Sequence, residues 1–177
     1  MQEKREYAKI RLMAQVSLAA ALAIVLSPLK IFQMPQGGSV SLEMVPIFFI
    51  AIRFGGVWGM VAGLIAGIGQ VIFGAYIVHP VQFILDYPLA FALLGVAGFM
   101  KNLPLVGVLA GSALRFLAHV VSGAVFFGQY APEKMNVWFY SAIYNASYML
   151  PETVITLVAI VSLLHAERVV SEKKKKK

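Results

Sequence analysis

The stretch between Arg53 and His79 contains no Asp, Glu, Lys, Arg or His, and it is one of several apolar runs separated by short clusters of Pro, Gly and charge. A helix needs roughly 20 apolar residues to cross the hydrocarbon core of a bilayer, and runs of this kind meet that need. Apolar runs in soluble α/β proteins are shorter and are bounded by charged helical faces. The chain has 177 residues, 60% hydrophobic and only 13% charged, far from the balance of a water-soluble domain. The expected fold class is an all-α membrane protein.

Breaking the chain at its Pro, Gly and charge clusters predicts six transmembrane helices, near 10–29, 42–53, 56–78, 83–100, 104–127 and 139–164, in a single domain spanning 1–177. The first apolar segment follows a charged stretch, as in a signal peptide, but it is too long for one and is expected to be the first span. The second segment, from Leu42 to Arg53, is too short to cross a core of about 30 Å at about 1.5 Å per residue. A short Pro-containing helix is tolerated at that depth only where protein or a cavity surrounds it, so it points to a pocket.

There is no cysteine, which excludes disulfides, thiolate metal sites and cysteine nucleophiles. The net charge of +7 lies mostly in the two tails. Lys4, Arg5, Lys9 and Arg11 precede the first run, and Arg168 with Lys173 to Lys177 follows the last. Basic tails beside membrane spans report a cytoplasmic side facing anionic lipid and do not call for nucleic acid. Across the six spans, twelve Lys and Arg fall on the side of the termini and two, Lys30 and Lys134, on the other. Both termini are therefore expected to be cytoplasmic, with 30–41, 78–82 and 128–138 facing outward.

Small residues mark where helices approach one another. Gly55, Gly56, Gly59, Gly63, Gly67, Gly69 and Gly74 punctuate the third span, and internal packing is their simplest role. In the first span, Ser17 with Ala21 and Ala19 with Ala23 stack at i and i+4, a flat face for internal packing or for a partner subunit.

Ionisable groups inside spans are costly and need a partner, water or a function. Asp86, just ahead of Tyr87 and Pro88, reads equally as a helix cap and as a ligand group. Arg115 and His119 share one helix face with Gly123 and Phe127. His119 alone is more often a satisfied core histidine, and Arg115 is expected to pair with a carboxylate such as Glu152. In the last span, Tyr140, Tyr144 and Tyr148 share a face; Trp138 and Tyr148 suit an interfacial belt, whereas Asn145 needs partners or a polar cavity. Under the orientation above, Tyr76, Asp86, Tyr87, His119, Gly123, Phe127, Tyr140 and Asn145 all fall at one outer level. A carboxylate, an imidazole, an amide and aromatic walls favour a flat organic cation.

These residues resemble a known family, the thiamine-specific substrate-binding subunits (S components) of energy-coupling-factor (ECF) vitamin transporters. The similarity covers nearly the whole chain and is carried by Leu85 to Ala92, His119 to Gly123, Gln129 to Pro132 and Tyr140 to Asn145. It implies a six-helix thiamine-binding protein of a prokaryotic plasma membrane, associated with a transmembrane coupling subunit and two cytoplasmic ATPases. It implies substrate contacts from Asp86, where a glutamate is common, and from Tyr87, His119, Gly123, Tyr76, Tyr140 and Asn145. A stacking tryptophan appears as Phe127, and one in the first outer loop has no counterpart in Phe32-Gln33-Met34. The helix 1 face that meets the coupling subunit is matched by Ser17 and Ala21, with Ala19 and Ala23 as a second pair.

The expected function is thus thiamine capture without chemistry, under a lid formed by Lys30 to Ser41. No cofactor and no metal site are expected, and with no G-x-x-x-x-G-K-[ST] loop energy must come from other subunits. Competing readings are an S component for another flat vitamin, an intramembrane enzyme using His119 with Asp86 or Glu152 and Ser122 as hydroxyl, and a stand-alone transporter or channel.

Overall fold

The computed structural model describes residues 2–175; Met1 and the last two residues of the lysine run, Lys176 and Lys177, lie outside them. Six helices carry the fold: α1 (Gln2–Leu26), α2 (Met44–Phe54), α3 (Gly56–Phe73, its last turn 3-10), α4 (Pro80–Phe99), α5 (Pro104–Phe126) and α6 (Val137–Lys175). Five are long and apolar enough to cross a membrane, and α2, with 11 residues, is the short one. Between α1 and α2 two short strands, β1 (Phe32–Gln33) and β2 (Ser39–Val40), pair antiparallel.

The six expected spans each find their helix, with shifted ends. α1 begins at Gln2 and α6 runs to Lys175 because the Glu-, Lys- and Ala-rich tails are good helix formers that need no lipid to stay helical. At 39 residues α6 is about 58 Å long, well beyond a core of about 30 Å, so its basic end projects from the membrane. α4 starts at Pro80, earlier than expected, with His79 as its N-cap: the His79 Nδ1 accepts the Val81 N–H at 3.1 Å.

That start overturns the reading of Asp86 as a cap. Asp86 lies inside α4, in a π-helical turn over Leu85–Leu89 that contains Pro88. Proline supplies no N–H to the ladder, and a locally widened turn is the usual accommodation.

α2 is enclosed by protein, which is how so short a helix survives at membrane depth. Met44, Ile47, Phe48 and Ala51 pack with Ala66 of α3, Phe91, Leu94 and Ala97 of α4, Val108 of α5 and Ile160 of α6. α2 breaks into α3 at Gly55, whose φ of 108° only glycine adopts without strain. Along α3, Gly59, Gly63 and Gly67 recur every four residues and let its backbone lie on that of α4. A Cβ at Gly67 would sit 2.5 Å from the Tyr87 carbonyl oxygen, in the π turn. α1 closes the bundle through Val16, Ala19, Ala20 and Ala23, packed with Ile50 and Ala62 or buried in the main core.

The two pairs of small residues on α1 therefore part company. Ala19 and Ala23 are buried within this chain and are not available to a partner, whereas Ser17 and Ala21 are exposed.

Candidate functional site

One end of the bundle opens into a cavity of about 290 Å³. All eight residues singled out as a substrate site line it: Tyr76, Asp86, Tyr87, His119, Gly123, Phe127, Tyr140 and Asn145. They come from the loop after α3, the π turn of α4, the last turns of α5 with Phe127 just beyond it, and the first turns of α6.

Asp86 is at the centre of the polar wall. Its Oδ2 accepts from Gln82 Nε2 at 2.7 Å and from Ser122 Oγ at 2.8 Å, and its Oδ1 lies 2.9 Å from His119 Nδ1. Arg115 Nε donates to the other ring nitrogen, His119 Nε2, at 3.3 Å. A guanidinium has only donors, so Nε2 must be the bare nitrogen and Nδ1–H the donor to Asp86. His119 is thus held as one tautomer between a cation and an anion.

Arg115 is itself enclosed. Its Nη2 meets Glu43 Oε1 at 3.0 Å and its Nη1 meets Glu152 Oε2 at 3.4 Å, while the guanidinium lies 4.4 Å from the centre of the Phe91 ring. Ser41 Oγ reaches Glu152 Oε1 at 3.4 Å, and Gln70 Nε2 donates to Glu43 Oε2 at 3.0 Å. The expected Arg115–Glu152 pair is present, with Glu43 as an additional partner. Arg115 is thus shared by Glu43 and Glu152, whereas Asp86 meets only His119 and the neutral donors Gln82 and Ser122; Lys30, the other cation lining the cavity, is exposed.

The other walls are aromatic. Tyr76 and Phe127 lie with ring centres 5.9 Å apart, Phe127 and Tyr130 at 6.4 Å, and Tyr140 and Tyr144 at 6.0 Å. Asn145 is satisfied by the protein: its Nδ2 donates to the Ser141 carbonyl at 2.9 Å and its Oδ1 accepts from Tyr148 Oη at 2.7 Å. Tyr148 is consequently a buried cavity residue and not the interfacial residue its position in the sequence suggested, while Trp138 is half exposed. Gly123 leaves space for this cluster, since a Cβ there would run into the Ser141 hydroxyl.

The loop over 30–41 covers the mouth. Tyr144 Oη accepts the Gln36 N–H at 2.8 Å and donates to the Gly37 carbonyl at 3.0 Å, and Gly38 packs on the Tyr148 ring. Phe32 points away from the cavity and is exposed, because the β1–β2 pairing turns Gln33 and Ser39 inward in its place.

Sequence reasoning missed Glu43, Gln82 and the loop contact of Tyr144. Glu43 carried a usable signal, being an acid inside the second expected span. Gln82 had none, since an uncharged amide one residue before an expected span looks like loop.

The family described as thiamine transporter protein (Thia_YuaJ) matches residues 13–172. The chain belongs to this family. Among thiamine transporter relatives, the one named thiamine transporter ThiT in Bacillus subtilis (strain 168) is 40% identical, over 82% of this chain and 86% of its own length. A ThiT of Lacticaseibacillus paracasei is 29% identical over 90% of both chains. The solved structure of ThiT from Listeria monocytogenes superposes with a TM-score of 0.82 at 27% identity, covering 90% of this chain and 96% of that one. As a thiamine transporter family member with five long apolar helices, the chain is a multi-pass plasma-membrane transport protein. The enzyme reading gives way, since the relatives are named transporters. The geometry agrees: Ser122 donates to Asp86, and both ring nitrogens of His119 are engaged elsewhere.

Proposed function

We propose that the chain is the thiamine-capturing S component of an ECF-type importer. The observation that carries this reading is a carboxylate left without its own cation in an aromatic-walled cavity: among the described residues Asp86 pairs only with His119, while Arg115 is taken by Glu43 and Glu152. A flat organic cation supplies the missing positive charge and stacks on Tyr and Phe faces, and thiamine has that form. Asp86 acts through its charge, Tyr76, Phe127 and Tyr140 through their rings, and Tyr87, His119 and Asn145 by fixing the polar wall. The cavity faces outward and both termini are cytoplasmic, which the distribution of twelve against two basic residues supports.

The chain has no nucleotide loop, so delivery depends on two ATPases and on a transmembrane coupling subunit, the latter met through the exposed Ser17–Ala21 face of α1. Titration calorimetry of the purified protein with thiamine, and with riboflavin and biotin as controls, tests the substrate. Saturable heat with thiamine alone is expected, and Asp86→Asn should weaken it by about 10- to 150-fold, the range for one hydrogen bond to a charged group. Binding of another flat vitamin in place of thiamine would overturn the substrate and leave the cavity standing. Ala21→Trp should abolish co-purification with the coupling module while leaving thiamine binding intact.

A further inference from the structure

Gln82 is one of the most deeply buried polar side chains, at 1% exposure. Its amide is fully engaged. Oε1 accepts the Val78 N–H at 3.0 Å, and the two Nε2 hydrogens go to the Tyr76 carbonyl at 3.1 Å and to Asp86 Oδ2 at 2.7 Å. A flipped amide would put its oxygen against two acceptors and its nitrogen against a donor, so the orientation is dictated by its neighbours.

We infer that Gln82 is a positioning residue that sets the affinity of the cavity by tying Asp86 and the segment 74–79 into one arrangement. A carboxylate offers about four acceptor sites. Gln82 and Ser122 take both on Oδ2 and His119 takes one on Oδ1, so Gln82 turns Asp86 to present its remaining site on Oδ1. The same amide holds the Tyr76 carbonyl, which Tyr87 Oη also approaches at 3.3 Å while accepting the Tyr76 N–H at 2.8 Å. The Tyr76 ring then meets Phe127 across the cavity. One uncharged side chain thereby fixes both the anion and an aromatic wall. As a statement about affinity, this rests on thiamine being the ligand.

Two variants of nearly the same size test it. Gln82→Met removes donor and acceptor; Gln82→Glu keeps the acceptor for Val78 N–H and replaces the donor toward Asp86 with a carboxyl. Calorimetry with thiamine should show both variants at least ~10-fold weaker at neutral pH, the scale of one hydrogen bond to a charged group. The melting temperature without ligand should fall as well, since the partners Gln82 holds at Tyr76, Val78 and Asp86 lose hydrogen bonds, so affinity is measured well below the transition. For Gln82→Glu, lowering the pH to about 5.5 should recover affinity relative to wild type, because a protonated carboxyl donates to Asp86 as the amide did. The other titratable and charged groups around that pair are His119 and Arg115 from α5, Glu43 before α2, Lys30 after α1, Tyr148 from α6, and Tyr76 and Tyr87; wild type shares them, so its own profile accounts for their contribution.

Amide hydrogen exchange of the ligand-free proteins gives a readout independent of thiamine, with faster exchange expected at Tyr76 and Val78 in Gln82→Met. Faster exchange in a protein whose wild type takes no thiamine would support the positioning role and overturn the ligand. Wild-type affinity in both variants, or a Gln82→Glu profile parallel to wild type, would overturn the inference itself.

Discussion

Within α5, the half away from the cavity and the half that lines it solve the membrane problem in opposite ways. Near its start, Gly107 and Gly111 bring the α5 backbone against Ala97 and Leu94 of α4, and no polar side chain takes part in that contact. Two turns on, Arg115, His119 and Ser122 are buried and each is held by groups from other helices. The dry half is stabilised by close approach of small residues, which dispersion rewards and lipid does not oppose. The polar half has no such reserve: each group there is tolerable only while its partner is present. The bundle is thus a rigid platform of glycine and alanine contacts beneath a site made of mutual obligations.

The largest expected effect therefore lies in the polar half. Arg115→Met leaves Glu43 and Glu152 enclosed without their cation, and breaking a buried pair in this way costs ~3–5 kcal/mol. Thermal unfolding in detergent should show a collapse of the melting transition, or no folded protein. Adding Glu152→Gln should restore part of the loss, since the neutral amide no longer needs the guanidinium; strictly additive effects would remove the coupling on which the contrast between the halves depends.

Overpacking the glycine and alanine platform, here on α3, should cost less and act differently. At Gly59 a Cβ would lie 2.9 Å from the backbone of both Ala51 and Gly95, so Gly59→Ala must push α3 away from α2 and α4. A loss of ~1–3 kcal/mol in stability is expected. Sites this far apart act independently to within ~0.5 kcal/mol, so thiamine affinity should stay nearly unchanged. A matching loss of affinity would show that the platform and the site are not separable.

Tyr144→Phe addresses the contact between the polar half and its cover. The two hydrogen bonds from Tyr144 Oη to Gln36 N–H and Gly37 carbonyl are lost, while the ring and its packing remain. At ~1 kcal/mol net per hydrogen bond, thiamine should leave about 5- to 30-fold faster in stopped-flow measurements, with association little changed. An unaltered dissociation rate would mean that the 30–41 loop does not retain the ligand.

How much of this was legible beforehand differs between the halves. Helix count, the shortness of α2 and the close packing of α3 follow from run length and glycine spacing, local quantities that a sequence displays directly. His119, Tyr140 and Asn145 were also legible, because a polar residue in an apolar run stands out. For Asp86 a helix cap and a ligand group stood level, since nothing local announces that α4 begins at Pro80 and widens into a π turn at Leu85–Leu89. The partners of Arg115 were half legible: Glu152 stood out, whereas Glu43 becomes a partner only through packing between residues 72 positions apart. Tyr148 looked like a membrane-boundary residue because only the fold reveals that Gly38 and Asn145 enclose it.

A second arginine tests whether burial, and not the ion pair as such, gives Arg115 its weight. Arg53, at the end of α2, meets Glu167 of α6 at 2.9 Å, shorter than either contact of Arg115, but its side chain is 57% exposed and that of its partner 36%. Water screens both charges, and two long side chains lose freedom to hold the geometry, so such pairs contribute only ~0–1 kcal/mol. Arg53→Ala should accordingly shift the melting temperature least of the four, and added salt should shrink the shift further. A loss comparable to that of Arg115→Met would place Arg53 and Glu167 in a low-dielectric setting, and the contrast between a dry half without buried charge and a polar half built on it would fail.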